Sequence, residues 1–314
     1  MANETVESTA TTDRRSVRGR LGLDGEALWG WATVAPVILL YLFVAVTPIA
    51  FAIYASLFEV PLLNPDWTFT GLSNYVEVLT MNSFWSSLWL GALFMVGSTV
   101  VQLLVGLWIA LVLNQLDRGQ RFLTAVAFTA YLVPTVIVVL VALFMFDVEV
   151  GVLHIAGSTL GLWGERTFAL GDQTWAMSLV VLIGSWKFSI FVTIFTLAQL
   201  RAIPDRFYEA AKICGASRWE MFRDITLPRI TGVLLIAVLL RAVFMFNKFD
   251  IIWMLTEGGP AGATTTLPIL AYRTAFLHND YGVANAMAVV MFVFLAIGAY
   301  CYFRAFDPTA EVDT

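Results

Sequence analysis

Four charged side chains, Lys187, Arg241, Lys248 and Asp250, stand inside stretches otherwise rich in apolar residues. Each would cost about 2.5–3.5 kcal/mol at the centre of a lipid-facing helix, so they must face a cavity, another chain or one another. Arg241, Met245, Lys248 and Ile252 recur at helical spacing, with Phe244 four residues before Lys248, which predicts one shared helix face. Gly184, Lys187, Phe188 and Phe191 are spaced likewise on a second helix. Aromatic rings beside hydrogen-bonding tips suit a polyhydroxylated solute, whose C–H faces stack on rings while its hydroxyls meet donors and acceptors. The same rings also suit helix packing, and the lysines suit an ion pair with Asp250 or with a second chain. Bond-breaking chemistry is not indicated. Asp250 alone supplies no acid, base or nucleophile pair, no G-x-x-x-x-G-K-[ST] loop is present to cradle phosphates, and His154 and His278 lack a second ligand at metal spacing.

A second group of residues is polar and lies between apolar runs. Residues 200–229 hold six of the chain's 18 Lys and Arg, which makes them a place where a soluble protein could grip a membrane protein. Pro204 suits a first helical position and Gly215 the turn after a helix end, which predicts one helix over 204–214. Ser217 with Glu220 three residues on reads as a capping box for a second helix over 218–225, closed by Leu227-Pro228. Glu209, Ala210 and Ala211 set a carboxylate beside two methyl-sized side chains, so another protein surface can approach the backbone closely there.

The elements that position these groups are membrane spans. The chain has 314 residues, 59% hydrophobic and 13% charged, with a mean hydropathy of +0.80, whereas ordinary globular domains carry about 25% charged residues. A span needs about 20 apolar residues, and six windows qualify: 28–58, 84–113, 122–146, 174–199, 230–255 and 281–303. The first is too long for a signal-peptide core and lacks a convincing small-residue cleavage site, so it is kept as a span. Pro36, Pro48 and Pro134 are expected to bend the spans that contain them. With the amino terminus inside, the inner segments hold 13 Lys and Arg and the outer ones two. By the positive-inside rule both termini and residues 200–229 face the cytoplasm. The domain plan is an N-terminal tail (1–27), a six-helix membrane domain (28–303) and a C-terminal tail (304–314). The two cysteines, Cys214 and Cys301, are expected to be small buried apolar residues rather than a disulfide.

These residues carry a family resemblance. Glu209-Ala210-Ala211, three residues, Gly215, nine residues, then Ile225-Thr226-Leu227-Pro228 resembles the EAA loop of permease subunits in binding-protein-dependent ABC importers. Asn247-Lys248-Phe249-Asp250, Leu255-Thr256-Glu257-Gly258-Gly259-Pro260 and Tyr272-Arg273-Thr274-Ala275-Phe276 resemble the carbohydrate-uptake branch, of maltose or glycerol-phosphate type, and look like the first permease of a pair. Gly71-Leu72-Ser73-Asn74-Tyr75 is similar to a third signature of the same family. The resemblance runs from about residue 30 to 303.

The resemblance implies an all-α, six-span membrane protein with a cytoplasmic EAA coupling helix that docks on an ATP-hydrolysing subunit. Its coupling positions fall on Glu209, Ala210, Ala211, Gly215, Ile225, Leu227 and Pro228. The sugar-contacting positions of maltose-type permeases fall on Gly184, Lys187, Phe188, Phe191, Phe244, Met245 and Lys248, and on Tyr131 and Thr135. Met245 and Lys248 replace amide side chains of that pattern. The resemblance further implies a non-catalytic subunit without a cofactor of its own, ATP and Mg being held by two copies of a partner ATPase. A second homologous permease, an extracytoplasmic substrate-binding protein, a sugar or oligosaccharide and membrane lipid complete the partners, with no nucleic acid. The site of action is the cell membrane, and transport proceeds by alternating access. Two alternatives stay open: the same importer for a polyol phosphate such as glycerol phosphate, and a self-sufficient secondary transporter, although no internal repeat of the kind such carriers use is visible.

Overall fold

The structure is a computed structural model that describes residues 25–60, 66–116 and 118–306. Most of both expected tails, residues 1–24 and 307–314, lies outside the described residues. The chain divides into two units, one ending at Tyr54 and one beginning at Ala55. The described residues of the first belong to α1 (Gly25–Ala55), a 31-residue helix with Pro36 and Pro48 inside it, whose last residue falls in the second unit.

Among its described residues the regular elements of the second unit are helices apart from a short ribbon, β1 (Phe58–Glu59) paired antiparallel with β2 (Thr68–Phe69). Its helices are α2 (Ser73–Thr80), α3 (Asn82–Asn114), α4 (Gln120–Leu132), α5 (Thr135–Met145), α6 (Val152–Thr159), α7 (Ala176–Ala202), α8 (Arg206–Ile213), α9 (Arg218–Met221), α10 (Leu227–Phe246), α11 (Asp250–Thr256), α12 (Leu267–Phe276) and α13 (Tyr281–Phe306). Among the described residues five helices are long and apolar enough to cross a membrane, or six if α4 and α5 are taken together as one bent span. The all-α, multi-span class expected from the sequence is therefore borne out.

The third span is not one helix. Val133 is extended (ψ 125°) and Pro134 follows at φ −54°, ψ 140°, so α4 and α5 meet at 89°. Proline disfavours the helical region for the residue before it and offers no N–H of its own, and at Pro134 the expected bend is a full break.

The fifth span also departs from expectation. The apolar run over 230–255 divides, with α10 ending at Phe246 and α11 starting at Asp250. At the break the Asn247 side chain donates to the Val243 carbonyl at 2.9 Å, the local side-chain bond by which Asn competes with helix continuation. Lys248 therefore lies between the two helices. Ile252 belongs to α11 and does not share a continuous helix face with Arg241 and Met245.

Helix α7 is central: 72% of its apolar window is buried, against 33% for α3 and 11% for α13. Ser98, Gln102, Gly106 and Ala110 recur every four residues on the buried face of α3. A Cβ on Gly106 would stand 2.6 Å from the Ser189 carbonyl and 2.7 Å from the Val192 Cβ, so only glycine permits this approach. Thr193 Oγ1 uses the closeness to donate to the Gly106 carbonyl at 3.1 Å. Close backbone approach through small residues is how helices hold together where lipid removes the hydrophobic drive between them.

Candidate functional site

The charged and aromatic residues of α5, α7 and α10 and of the break after α10 converge on one ring. Phe188 lies with its centroid 5.1 Å from Lys187 Nζ, 5.0 Å from the Arg241 guanidinium carbon and 4.6 Å from Lys248 Nζ. Phe191 and Phe244 lie 5.3 and 5.9 Å from the same guanidinium. Lys187 Nζ donates to Thr135 Oγ1 at 3.1 Å, across the break between α4 and α5. Thr135 reaches it because it is the first residue after Pro134. Gly184 packs one turn away, where a Cβ would meet Ile251 of α11 at 3.5 Å. Lys248 Nζ pairs with Asp250 at 2.9 Å.

Beneath this lies a polar contact that sequence reasoning missed. Arg241 Nε donates to Gln102 Oε1 at 2.6 Å, and Gln102 Nε2 donates to the Met245 sulfur at 3.2 Å. Gln102 is fully buried on α3. Its signal was a lone amide within an apolar run. Of the predicted site residues, Thr135, Gly184, Lys187, Phe188, Phe191, Phe244, Met245 and Lys248 come together, and Tyr131, though exposed on α4, lies within electrostatic reach of Arg241. Two cavities among the described residues lie elsewhere. One of about 950 Å³ is lined by Ser83, Ser87, Thr174 and Arg273, and an apolar one of about 680 Å³ by Ile137, Trp163 and Trp186.

The polar loop folds nearly as its residues predict. Helix α8 starts two residues after Pro204 and ends in a glycine turn, where Gly215 N–H donates to Lys212 O and Ala216 N–H to Ala211 O, the double bond pattern of a Schellman cap. Gly215 has φ +79°. The capping box is formed: Ser217 N–H donates to Glu220 Oε2 at 2.7 Å and Glu220 N–H to Ser217 Oγ at 3.3 Å. Leu227-Pro228 does not close the second helix, however. The chain runs from α9 through a π turn (Phe222–Thr226) directly into α10, with Pro228 in its first turn. The wide turn carries the Leu227 N–H to Phe222 O, five residues back, and Thr226 Oγ1 also serves the Met221 carbonyl at 3.3 Å, so the helix survives a proline at its start.

Glu209 and Ala210 are exposed. Beside them, Ile213 is 88% exposed and Trp219 67%, two apolar side chains that the sequence reading did not single out. The opposite side of the loop is anchored. Tyr208 hydroxyl bonds Thr226 Oγ1 at 2.9 Å, Arg229 covers the Phe207 ring at 3.8 Å and Gln199 Nε2 donates to Arg229 O at 3.1 Å. Ile203 and Ile230 are buried with Leu197, Leu200, Ala110 and Leu113, and Ile225 and Leu227 pack against them. Cys214 ends α8 and Cys301 lies on α13. Both are exposed rather than buried.

These features define the class: a multi-span helical membrane protein with a buried cation and aromatic cluster and an exposed helical loop between two spans. Residues 102–312 match the family of binding-protein-dependent transport system inner membrane components, and the chain belongs to that family. It is 34% identical over 279 residues to the trehalose/maltose transport system permease protein MalF of Thermococcus litoralis, covering 89% of this chain and 94% of that protein. It is 30% identical over 281 residues to the sulfoquinovosyl glycerol transport system permease protein SmoG of Agrobacterium fabrum, covering 89% and 91%. Its fold is similar to that of a chain in the crystal structure of a bacterial alginate ABC transporter in complex with an alginate pentasaccharide-bound periplasmic protein, with TM-score 0.77 at 20% identity over 89% of this chain and 94% of that one. The family resemblance read from the loop residues is borne out.

Proposed function

We propose that this chain is one of two permease subunits of a sugar importer and forms half of a pathway that opens alternately to each side of the membrane. The relation to a trehalose/maltose permease along nearly its whole length supports a saccharide substrate. The thirteen-to-two asymmetry of Lys and Arg supports an orientation with the α8 loop and both termini in the cytoplasm. There Glu209, Ala210 and Ala211, with Ile213 and Trp219, dock in a cleft of an ATPase subunit, one of two that hold ATP and Mg. A binding protein delivers the sugar from the other side.

The observation that carries this reading is the rigid connection from α8 to the cluster. Helix α8 is fixed through Tyr208 and Thr226 to the start of α10, and through Ile203 and Leu200 to the end of α7. From Leu200 to Phe188 along α7 is twelve residues, about 18 Å of helix. Movement of α8 therefore has a packed route along α7 to Lys187 and Phe188 and along α10 to Arg241 and Phe244. A self-sufficient carrier would leave both the exposed Glu209 face and its anchoring without a use.

Substrate-stimulated ATP hydrolysis by the reconstituted complex tests this. Glu209→Lys is expected to reduce the stimulation by binding protein and sugar at least ten-fold, or to release the ATPase from the membrane subunits. Unchanged stimulation and uptake in that variant would contradict the coupling role.

A further inference from the structure

Three cations share one ring, and one carboxylate pairs with one of them. Lys187, Arg241 and Lys248 each lie about 5 Å from the Phe188 centroid, and Asp250 is the one carboxylate within salt-bridge distance of any of them among the described residues, on Lys248. Lys187 is satisfied by a hydroxyl and Arg241 by an amide oxygen. Neither of those partners carries charge. A benzene ring attracts a cation through either face by about 0.5–2 kcal/mol, which does not neutralise three. The cluster thus holds two positive charges beyond its negative one, and Lys187 and Arg241 are only 5% and 4% exposed, where water screens them least. Buried charges are ordinarily paired. A neutral sugar would leave this excess as it is.

We infer that the substrate is an anionic carbohydrate, with a carboxylate, sulfonate or phosphate group seated between Lys187 and Lys248 beside Phe188. This rests on the assignment of the cluster to the sugar pathway. Lys248 is suited to meet the anion because it lies in the break between α10 and α11, free of helix geometry, and its side chain keeps 20% exposure while it holds Asp250. Lys187 and Arg241 line the interior of the cluster. Phe244, 55% exposed on the same side as Arg241, offers the C–H faces of the ring sugar a surface to stack on. An ion pair with a second permease would also account for the charge excess, and retention of that subunit by the Lys248 variant distinguishes the two.

Calorimetric binding to the complete importer in lipid nanodiscs separates the cases. The probes are maltose and cellobiose, each against the same disaccharide with its terminal hydroxymethyl group oxidised to the carboxylate. At least one acidic form is expected to bind ten-fold or more tightly than its neutral partner. Lys187→Met and Lys248→Gln should each reduce that preference to three-fold or less, and Lys248→Arg should retain it. Equal binding of both forms overturns the charge selectivity and leaves the sugar pathway standing. Equal binding together with loss of the second permease from the Lys248→Gln complex assigns the cations to the subunit interface and overturns the inference as well. Absence of binding by every probe, in the parent and the variants, overturns both the inference and the placement of the pathway at this cluster.

Discussion

Gly215 and Gln102 represent two kinds of residue, one legible in the sequence and one not. Gly215 was found because a glycine after a short helix answers to a local rule. The structure gives its reason: φ is +79° and nothing lies within 4 Å of where a Cβ would be. The constraint is purely on the backbone, so Gly215→Ala is expected to cost about 1–2 kcal/mol at the loop and to weaken stimulated ATP hydrolysis several-fold. Gly215→Asn, a residue that tolerates the left-handed region, should recover most of the activity. Gln102 escaped notice because its partner Arg241 is 139 residues away, beyond the reach of any local pattern. Gln102→Leu removes the acceptor of a buried guanidinium and is expected to destabilise the complex by about 1–3 kcal/mol, read as a melting point lowered by several degrees. An unchanged melting point would mean that Arg241 finds another acceptor at no cost.

Whole elements were legible where apolar length alone decides them, and less so where one residue interrupts the run. Helices α3, α7 and α13 lie close to their predicted windows because each is an unbroken apolar stretch longer than a bilayer requires. The windows over 122–146 and 230–255 were equally apolar, yet Pro134 and Asn247 divide them, since hydropathy does not register a missing N–H or a side chain that captures a carbonyl. Pro228 misled in the opposite direction, because the π turn before it keeps the helix continuous. The α3–α7 pair supplies a test at this scale. Gly106→Ala puts a methyl group 2.6 Å from a carbonyl and is expected to force the helices apart, with a loss of about 1–3 kcal/mol. Gly97→Ala meets only the two methyl groups of Val181, at 3.5 and 3.6 Å, ordinary contacts, and should be tolerated. Thermal unfolding of the two purified variants distinguishes them, and equal melting points would refute the close-approach account.

At the scale of the molecule, the chain joins two things it does not complete. It presents one exposed helical loop, fixed to the ends of α7 and α10, and one buried cluster on those same helices. The family could be read from the sequence because the loop residues lie within twenty positions of one another at a fixed spacing. The cluster was legible in part because its residues recur at helical spacing, while its excess of charge and its tie through Gln102 required the packed helices. The central claim is that transport here is driven through α8 by a separate ATPase. The most direct test is sugar uptake into proteoliposomes containing either this chain alone or the complex with its second permease and ATPase. Uptake is expected only in the complex, with ATP on the loop side and loaded binding protein on the other. Uptake by the chain alone, driven by a proton or sodium gradient without ATP, would contradict the account.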